Sequence, residues 1–379
     1  MDIVVDVKDD NHFWAKYYVQ SKSNLLEAGK EIAIGQSIGN PNARSVWETE
    51  EMIQNHCAKV LNEPHLTSVR HGHIWIGYPY ANMNWDEDGV SHLLCMLMGG
   101  QMDIDNIERC ALLELELDQS KTTFMGPAHG IQGIREFTGV HDKPLFGGII
   151  KPKTGITPEQ LLDMVKQLVD GGVDFIKEDE ILGSPAICTL EDRAEYILRY
   201  LEECGRNVVY TFCINADPHR LLDKVYHVHG VSEYEGSGIH VNIWSGLGSY
   251  NAIRQEQLGQ YIHYQKSGDK VITSSKNAYR IDWDILCQLA GLSGADFIHA
   301  GMIGGYLDDD EEEIKKNMQT LYKYDVMPAL SCGMKPDLVA PIVEKVGVDW
   351  MANVGGFIHS DPDGTMAGAL KMRKAIDTL

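Results

Sequence analysis

The stretch FGGIIKPKTGITPEQLLDMVKQLVDGGVDFIKEDE, residues 146–180, predicts a strand, a helix and a second strand. The apolar runs FGGIIKP and VDFIKED flank the amphipathic segment TPEQLLDMVKQLVDGG, whose apolar residues recur at helical spacing. Thr157 precedes an acidic first turn, as an N-cap residue does. Two buried strands joined by a helix indicate a unit of a parallel sheet.

The same alternation continues toward the C-terminus. Thr189 begins a second amphipathic helix, TLEDRAEYILRYLEECG. Six further runs have the composition of buried strands: NVVYTFCIN (207–215), GIHVNIW (238–244), QYIHYQ (260–265), ADFIHAG (295–301), VMPALSCG (326–333) and DWMANVGG (349–356). Eight such units in about 240 residues are typical of a (β/α)8 TIM barrel. A doubly wound sheet is the alternative, but no G-x-G-x-x-G motif opens the units, which favours the barrel.

The N-terminal third has a different pattern. HFWAKYYVQ and HGHIWIGYPY are aromatic and alternating, as strands are, and NLLEAGKEIAIGQ between them has the pattern of a helix. We therefore predict an α/β protein of two domains. Residues 1–125 would form a smaller α+β domain, and residues 126–379 a C-terminal (β/α)8 barrel.

Charge and composition exclude several classes of partner. The chain has 379 residues and a formal net charge of −22, so it lacks the basic surface that nucleic acids or anionic membranes require. A phosphorylated ligand must then be held by local donors or by a metal. The eight cysteines have no C-x-x-C spacing, and no apolar run approaches the ~20 residues of a membrane span. We expect reduced thiols and a cytoplasmic protein.

Polar residues and glycines gather at the predicted carboxyl ends of the strands, where the chemistry of such a barrel is located. They are Lys151, Lys153, Lys177, Asp179, Glu180, Asn215, His240, Asn242, Lys266, His299, Ser331, Gly333, Gly355 and Gly356. Each alone has a structural explanation, since a lysine at a strand end is commonly solvated and paired glycines commonly form a turn. Their convergence at one rim favours a functional site.

One lysine lies within an acidic run, in GGVDFIKEDE (171–180). Asp179 and Glu180 are hard oxygen ligands suited to Mg²⁺, which a free Lys177 ammonium would repel. Reaction of Lys177 with CO2 would give a carbamate and a third anionic ligand. A surface lysine paired with its acidic neighbours is the alternative, and spacing alone favours it.

Several segments resemble the large subunit of ribulose-bisphosphate carboxylase. They occur in the same order as in that family: MGPAHGIQGIRE (125–136), GGIIKPKTG (147–155), GGVDFIKEDE (171–180), LSGADFIHAG (292–301), PALSCG (328–333) and NVGG (353–356). The K-P-K and K-x-D-E motifs in this order are specific. The resemblance extends over most of the chain and implies the barrel fold with an N-terminal domain.

The resemblance also implies roles for single residues. Lys177 would be the carbamylated lysine, and with Asp179 and Glu180 it would bind Mg²⁺. Lys151 matches the enolising base of the family, and Lys153 would lie beside the substrate oxygens. The remaining positions would contact the substrate or its phosphates: His299 as a catalytic residue, and Lys266, Ser331, Asn242, Gly333, Gly355 and Gly356 as binding residues.

The departures from the family pattern indicate a ribulose-bisphosphate carboxylase-like protein. In the loop GMIGGYLDDD, Tyr306 stands where carboxylases have the lysine that stabilises the carboxylated intermediate, and tyrosine cannot supply that cation. In GQSIGNP (35–41), Gly35 replaces a glutamate, and Asn40 and Pro41 replace a Thr-Trp pair. Gly100 replaces an asparagine. We expect no productive CO2 fixation.

The residues that match the family pattern are those that enolisation requires, since this reaction needs a metal and a lysine near the carbonyl. The expected reaction is enolisation, isomerisation or decarboxylation of a phosphorylated keto-sugar or keto-acid, as in methionine salvage or sugar-acid catabolism. A genuine carboxylase with a cation from Lys270 or Lys335, and a non-catalytic binding protein, are the alternatives. The resemblance further implies a homodimer with shared active sites, or a higher oligomer of dimers, in which Gly35, Asn40 and Gly100 line the partner's site.

Overall fold

The computed structural model describes residues 3–307 and 309–379. Its strands are β1 Val4–Val5, β2 His12–Ser21, β3 Lys59–Leu61, β4 His71–Pro79, β5 Ile107–Glu116, β6 Leu145–Ile149, β7 Phe175–Lys177, β8 Val209–Cys213, β9 Ser237–Asn242, β10 Tyr261–Gln265, β11 Tyr279–Ile281, β12 Phe297–Gly301, β13 Met327–Leu330 and β14 Met351–Val354.

The α-helices are α1 Leu25–Gly35, α2 Glu50–His56, α3 Gly89–Leu97, α4 Gly130–Thr138, α5 Pro158–Asp170, α6 Leu190–Glu203, α7 Pro218–Val231, α8 Gly248–Gln255, α9 Lys270–Thr273, α10 Trp283–Leu292, α11 Glu311–Lys323, α12 Pro336–Val346, α13 Gly356–His359 and α14 Thr365–Asp377. Among these residues, no helix has both the length and the apolar character that crossing a membrane requires.

Eight parallel strands close into a barrel in the order β6-β7-β8-β9-β10-β12-β13-β14. This confirms the predicted (β/α)8 architecture and excludes the doubly wound sheet. The predicted helix starts are also confirmed. The Thr157 side chain accepts a hydrogen bond from the Gln160 N–H in a complete capping box at α5, and Thr189 accepts from the Asp192 N–H at α6.

Apolar side chains fill the amino-terminal end of the barrel. The residues of this cluster that begin a barrel strand are Leu145, Phe175, Val209, Tyr261, Phe297, Met327 and Met351. Phe175 and Phe297 approach to 4.8 Å between ring centroids across the barrel interior. The apolar core therefore ends below the carboxyl ends of the strands, where polar side chains begin.

The other compact unit consists of residues 1–124 and 268–289. Its six-stranded sheet has the order β1-β3-β4-β2-β5-β11, and β2, β4 and α1 match the elements predicted there. The assignment of residues 268–289 to the barrel domain differs from the structure. β11 pairs in parallel with β5, Tyr279 opposite Cys110, so its backbone groups are satisfied by the edge of this sheet. The boundary near residue 125 stays a prediction.

Candidate active site

The acidic residues around Lys177 separate into two groups. Asp174, before β7, accepts hydrogen bonds from the Phe146 N–H at 2.8 Å and from Arg373 at 3.2 Å. Glu178 is fully buried and accepts from Arg193 Nε at 2.8 Å. It also accepts from the Cys213 N–H at 2.7 Å. Their charges are used within the fold, and only Asp179 and Glu180 remain for the barrel mouth.

Lys151, Lys177, Asp179 and Glu180 form one cluster at the carboxyl ends of β6 and β7. Lys177 Nζ lies 3.8 Å from Glu180 Oε2, and Lys151 Nζ donates to Asp179 Oδ2. Asp179 and Lys177 are each 2% exposed. The alternative of a surface lysine paired with acidic neighbours is therefore wrong in one respect. Lys177 is paired with Glu180, but it is buried at the last position of β7.

Burial alters the protonation of Lys177. Desolvation lowers the pKa of its ammonium, and the nearby Lys151 charge acts in the same direction, whereas Glu180 and Asp179 oppose the shift. A lysine with a lowered pKa has a larger share of neutral amine at neutral pH. Only the neutral amine reacts with CO2, and burial shifts the pKa of Lys177 in that direction while its acidic neighbours shift it in the other.

Donors at the ends of β8 and β10 orient Glu180. Gln265, the last residue of β10, donates through Nε2 to Glu180 Oε2 at 2.8 Å. Asn215 donates to the Glu180 backbone oxygen at 2.7 Å. Sequence reasoning did not select Gln265. Its place at a strand end next to Lys266 is the signal that would have identified it.

The donor set fits a hard divalent cation. Asp179 and Glu180 supply two carboxylates directly after β7, and a carbamate on Lys177 would add a third anionic ligand. In residues 3–307 and 309–379, no group of three or more His, Cys, Asp or Glu side chains is placed to hold a metal. A site of three anionic oxygen ligands at this mouth therefore depends on Lys177.

His299 and Lys266 lie across the barrel. In the closed strand order, β12 is diametrically opposite β7, and Lys266 directly follows β10. His299 is 7% exposed; burial, then the Lys266 and Lys177 charges, lower the pKa of its imidazole to about 3. His299 is therefore uncharged at neutral pH and can exchange hydrogen bonds with a ligand without adding charge.

Ser331 and Gly333 follow β13 beside the loop that contains Tyr306. Ser331 is 4% exposed, and the backbone of Gly333 has a φ of +106°, where a side chain would be strained. The Tyr306 N–H donates to the Cys332 backbone oxygen at 3.2 Å, while its side chain is 77% exposed. The turn after β13 and the loop after β12 are thus joined at the mouth.

The remaining predicted residues differ in their surroundings. A Cβ on Gly355 would lie 3.4 Å from Lys151 Cε, so the backbone after β14 lies beside this lysine. A Cβ on Gly356 would meet nothing within 4 Å, and its role as a phosphate ligand stays a prediction. Lys153 is exposed and has no hydrogen bond or ion pair with any described residue.

Asn242 is engaged in the loop after β9. Its side chain donates to the Ser267 backbone oxygen at 3.0 Å and accepts from the Trp244 N–H at 3.0 Å. The structure therefore brings Asn242 to the mouth, but its amide holds neighbouring loops together.

Two buried histidines lie side by side on adjacent strands in the barrel interior. His240 and His263 are register partners on β9 and β10, with ring centroids 5.8 Å apart. No ring nitrogen of either has a hydrogen-bond partner among the described residues.

A cavity of about 600 Å³ lies at the opposite, amino-terminal end of the barrel strands, where Gln260 and Tyr261 line it. None of the predicted site residues borders this cavity. The chemistry-bearing side chains gather instead at the carboxyl ends of the strands, as is general for this fold.

A family model for the catalytic domain of the ribulose bisphosphate carboxylase large chain matches residues 130–379. The chain belongs to the ribulose-bisphosphate carboxylase large-chain family. The matched range contains the whole cluster around Lys177. Members of this family are enzymes that use Mg²⁺ and a carbamylated lysine.

Individual family members differ in what their names state. An uncharacterized ribulose bisphosphate carboxylase-like protein of Bordetella bronchiseptica is 29% identical, over 96% of this chain and 92% of that protein. A 2,3-diketo-5-methylthiopentyl-1-phosphate enolase of Geobacillus kaustophilus is 28% identical, also over 96% and 92%. The octameric ribulose-1,5-bisphosphate carboxylase/oxygenase of Pyrococcus horikoshii superposes with a TM-score of 0.89 at 26% identity, covering 99% of this chain and 92% of that one. The family thus includes carboxylases, carboxylase-like proteins and an enolase.

Proposed function

We propose that this protein is a carboxylase-like enzyme that enolises a phosphorylated keto-sugar or keto-acid, with Mg²⁺ and a carbamate on Lys177, and without productive CO2 fixation. The observation that carries the proposal is the cluster of Lys151, Lys177, Asp179 and Glu180 in one barrel mouth whose loop after β12 offers Tyr306. Enolisation uses the first four residues, whereas carboxylation also needs a cation in that loop.

In this proposal each side chain has a limited task. Asp179, Glu180 and a carbamate on Lys177 would hold Mg²⁺. When bound, this ion polarises a carbonyl oxygen and makes the C–H bond of the adjacent carbon more acidic. Lys151 would exchange its contact with Asp179 for the substrate and remove the proton beside the carbonyl. His299, uncharged at neutral pH, would hold a substrate hydroxyl or carbonyl group.

The substrate class follows from the rest of the rim. Lys266 and the backbone N–H groups of Gly333, Gly355 and Gly356 are the proposed phosphate ligands, which need no extensive basic surface. The enolase of Geobacillus kaustophilus is named for a phosphorylated diketone, which is a compound of this class. Isomerisation or decarboxylation would proceed through the same enolate.

The carboxylase alternative depends on another cation near the loop. Lys335 pairs with Asp337, Nζ to Oδ2 at 2.9 Å, so its charge is already engaged. In the N-terminal unit, a Cβ on Gly35 would lie 2.0 Å from Gln101 Oε1, so the glutamate of carboxylases fits there only if Gln101 moves. Both observations favour the carboxylase-like function.

We also propose a homodimer, or an oligomer of dimers, in the cytoplasm. The Pyrococcus horikoshii relative is named as an octamer. Light scattering on the purified protein is expected to give an even multiple of the 42.3 kDa chain mass. A monomer at micromolar concentration that retains full activity would contradict the shared active site.

The test of the proposed function is solvent deuterium exchange followed by NMR. The probes are ribulose 1,5-bisphosphate, ribulose 5-phosphate and 2,3-diketo-5-methylthiopentyl 1-phosphate, with saturating Mg²⁺ and bicarbonate. Exchange is expected beside the carbonyl of at least one probe, without fixation of ¹⁴CO2. Lys177→Ala should abolish the exchange. The matched control Lys371→Ala should not, because it removes a half-exposed lysine of α14 that is paired with Asp361.

Fixation of ¹⁴CO2 by the wild-type protein, absent in Lys177→Ala, would establish the carboxylase instead. Mg²⁺-dependent binding of the probes without exchange or turnover would favour a non-catalytic binding protein.

A further inference from the structure

Cys332 has an unusual backbone conformation at the barrel mouth. It follows β13 between Ser331 and Gly333 and has a φ of +74°. Among the described residues only Gln257 and Asp325 are also non-glycine residues with positive φ. Glycine adopts this region without strain, and a side chain here is retained at a cost to stability. The thiol of Cys332 is therefore held at the mouth although the backbone favours glycine.

The thiol is part of a polar cluster. Cys332 Sγ lies 3.6 Å from Ser331 Oγ and 3.9 Å from His299 Nε2. The His299 ring is 7% exposed, and its Nδ1 has no hydrogen-bond partner among residues 3–307 and 309–379. The other ring nitrogen of this buried imidazole contacts Cys332, so the two groups face each other at the mouth.

The cluster approaches the mouth from a different side than Lys151. In the closed strand order β14 lies between β13, which precedes Cys332, and β6, which precedes Lys151. Gly355, after β14, lies beside Lys151. The turn that contains Cys332 and the turn that contains Lys151 therefore flank the turn after β14.

We propose that Cys332 is a catalytic acid, whose thiol delivers a proton to the enolate carbon after Lys151 has removed a proton from the substrate. This inference rests on the proposed enolisation and deepens it, because it assigns the second proton transfer. His299 Nε2 and Ser331 Oγ orient the S–H bond as hydrogen-bond partners.

The step balances in atoms and electrons. Neutral Lys151 accepts the proton beside the carbonyl, and the electron pair of that C–H bond forms the enolate. The S–H bond of Cys332 breaks, its proton forms a new C–H bond with the enolate electron pair, and the sulfur keeps the S–H pair as thiolate. The thiolate then takes up a proton from water, and the Lys151 ammonium releases one to water.

The test separates the two proton transfers. Cys332→Gly removes the thiol at a position where glycine is the favourable residue, so its thermal midpoint should equal or exceed that of the wild type. Cys332→Ser keeps a weaker acid, and Cys95→Ser, which changes an exposed cysteine on α3, is the matched control. Each variant is assayed in D2O with the three probes named above, for substrate exchange and for isomerised product.

Cys332→Gly is expected to keep deuterium exchange into the substrate within about 2-fold and to lose product formation by about 10²-fold, the usual size of one acid–base contribution. Cys332→Ser should lie between it and the wild type. Unchanged product formation in Cys332→Gly would overturn the inference, as would equal losses of exchange and product, which would indicate a binding role. No exchange with the wild-type protein would instead overturn the proposed function, and this inference with it.

Discussion

At the scale of single residues, burial decides what each charged group near Lys177 can do. The four acidic residues of GGVDFIKEDE are close together in sequence. In the structure, however, Glu178 is paired with Arg193 and Asp174 with Arg373. Asp179 and Glu180 alone reach the lysines at the mouth. The number of acidic residues near Lys177 in the sequence therefore does not indicate how many negative charges act on its side chain.

Lys151 is expected to be essential for exchange but replaceable for folding. In Lys151→Gln, deuterium exchange should fall by about 10²–10⁴-fold, because a positioned base contributes this much. The variant also leaves the buried Asp179 without its cation, so its thermal midpoint should fall in EDTA and recover with Mg²⁺.

Lys371→Gln provides the comparison, since it removes a lysine of the same charge that is half exposed. Wild-type exchange rates in Lys151→Gln would show that another group is the base.

At the scale of elements, the interior positions of β9, β10 and β12 place three histidines in the barrel. Burial lowers the pKa of His240 and His263 well below 6.5, and that of His299 to about 3. These side chains are neutral in the folded chain, whereas they take up protons in the unfolded chain below pH 6.5. The folded state is therefore penalised on acidification.

This linkage predicts the pH dependence of stability. The unfolded chain binds more protons than the folded chain below pH 6.5, so the free energy of unfolding rises with pH and should decrease as pH falls from 6.5 to 5. Each histidine contributes at most about 1.4 kcal/mol per pH unit. Urea unfolding at pH 7.5, 6 and 5 measures this slope.

His263→Leu should flatten that slope, because it removes one buried titrating group among Phe175 and Phe297. His92→Leu changes an exposed histidine and should leave the slope unchanged. Equal slopes in wild type and His263→Leu would show that His263 is not held neutral.

A buried ion pair joins α6 to the residue that directly follows β7. Arg193 and Glu178 are both fully buried and meet at 2.8 Å, and Tyr210 of β8 also donates to Glu178. Arg193→Leu should cost about 3–5 kcal/mol, because it leaves a buried carboxylate unpaired. The measurement is the free energy of unfolding in urea.

Two comparisons define that result. Arg193→Leu combined with Glu178→Leu should recover much of the loss, since no unpaired charge remains. Arg199→Leu removes the exposed partner of Glu195 and should cost about 0–1 kcal/mol. A similar cost for Arg193→Leu and Arg199→Leu would contradict a buried, charged Glu178.

At the scale of the whole molecule, the chain crosses between its two compact units more than once. Residues 268–289 leave the series of barrel strands between β10 and β12 and add β11 to the edge of the N-terminal sheet. A division of the chain at residue 125 therefore removes a strand from that sheet. The first unit is complete only with a segment from the second half of the chain.

A fragment of residues 1–124 should accordingly be incomplete. Without β11, the backbone groups of β5 at Cys110, Ala111 and Leu112 lose their partners Tyr279, Arg280 and Ile281. Their amide protons should exchange at least about 10-fold faster than in the full chain, since an unpaired strand edge is exposed to water. Hydrogen exchange measured by mass spectrometry checks this, with β2–β4 peptides as the internal control. Equal protection of β5 in both would show that β11 is dispensable.

The sequence by itself determined the barrel and the rim on which the candidate site residues lie. The periodicity of apolar residues and the N-cap residues predicted the strands and helices, including the helix starts at Thr157 and Thr189. Both signals depend on residues within one turn or strand. Parallel strands present their carboxyl ends at one rim, so the polar residues that follow each strand could be assembled without coordinates.

Tertiary structure alone decided how those residues are used. Several features of the site depend on neighbours that are distant in sequence. They are the burial that lowers the pKa of Lys177, the hydrogen bond from Asn242 to Ser267, the hydrogen bond from Gln265 to Glu180 and the contact between Cys332 and His299. The transfer of β11 to the N-terminal sheet also depends on such neighbours. Desolvation and hydrogen bonding are properties of the space around a group, and sequence spacing specifies only the strand on which that group lies.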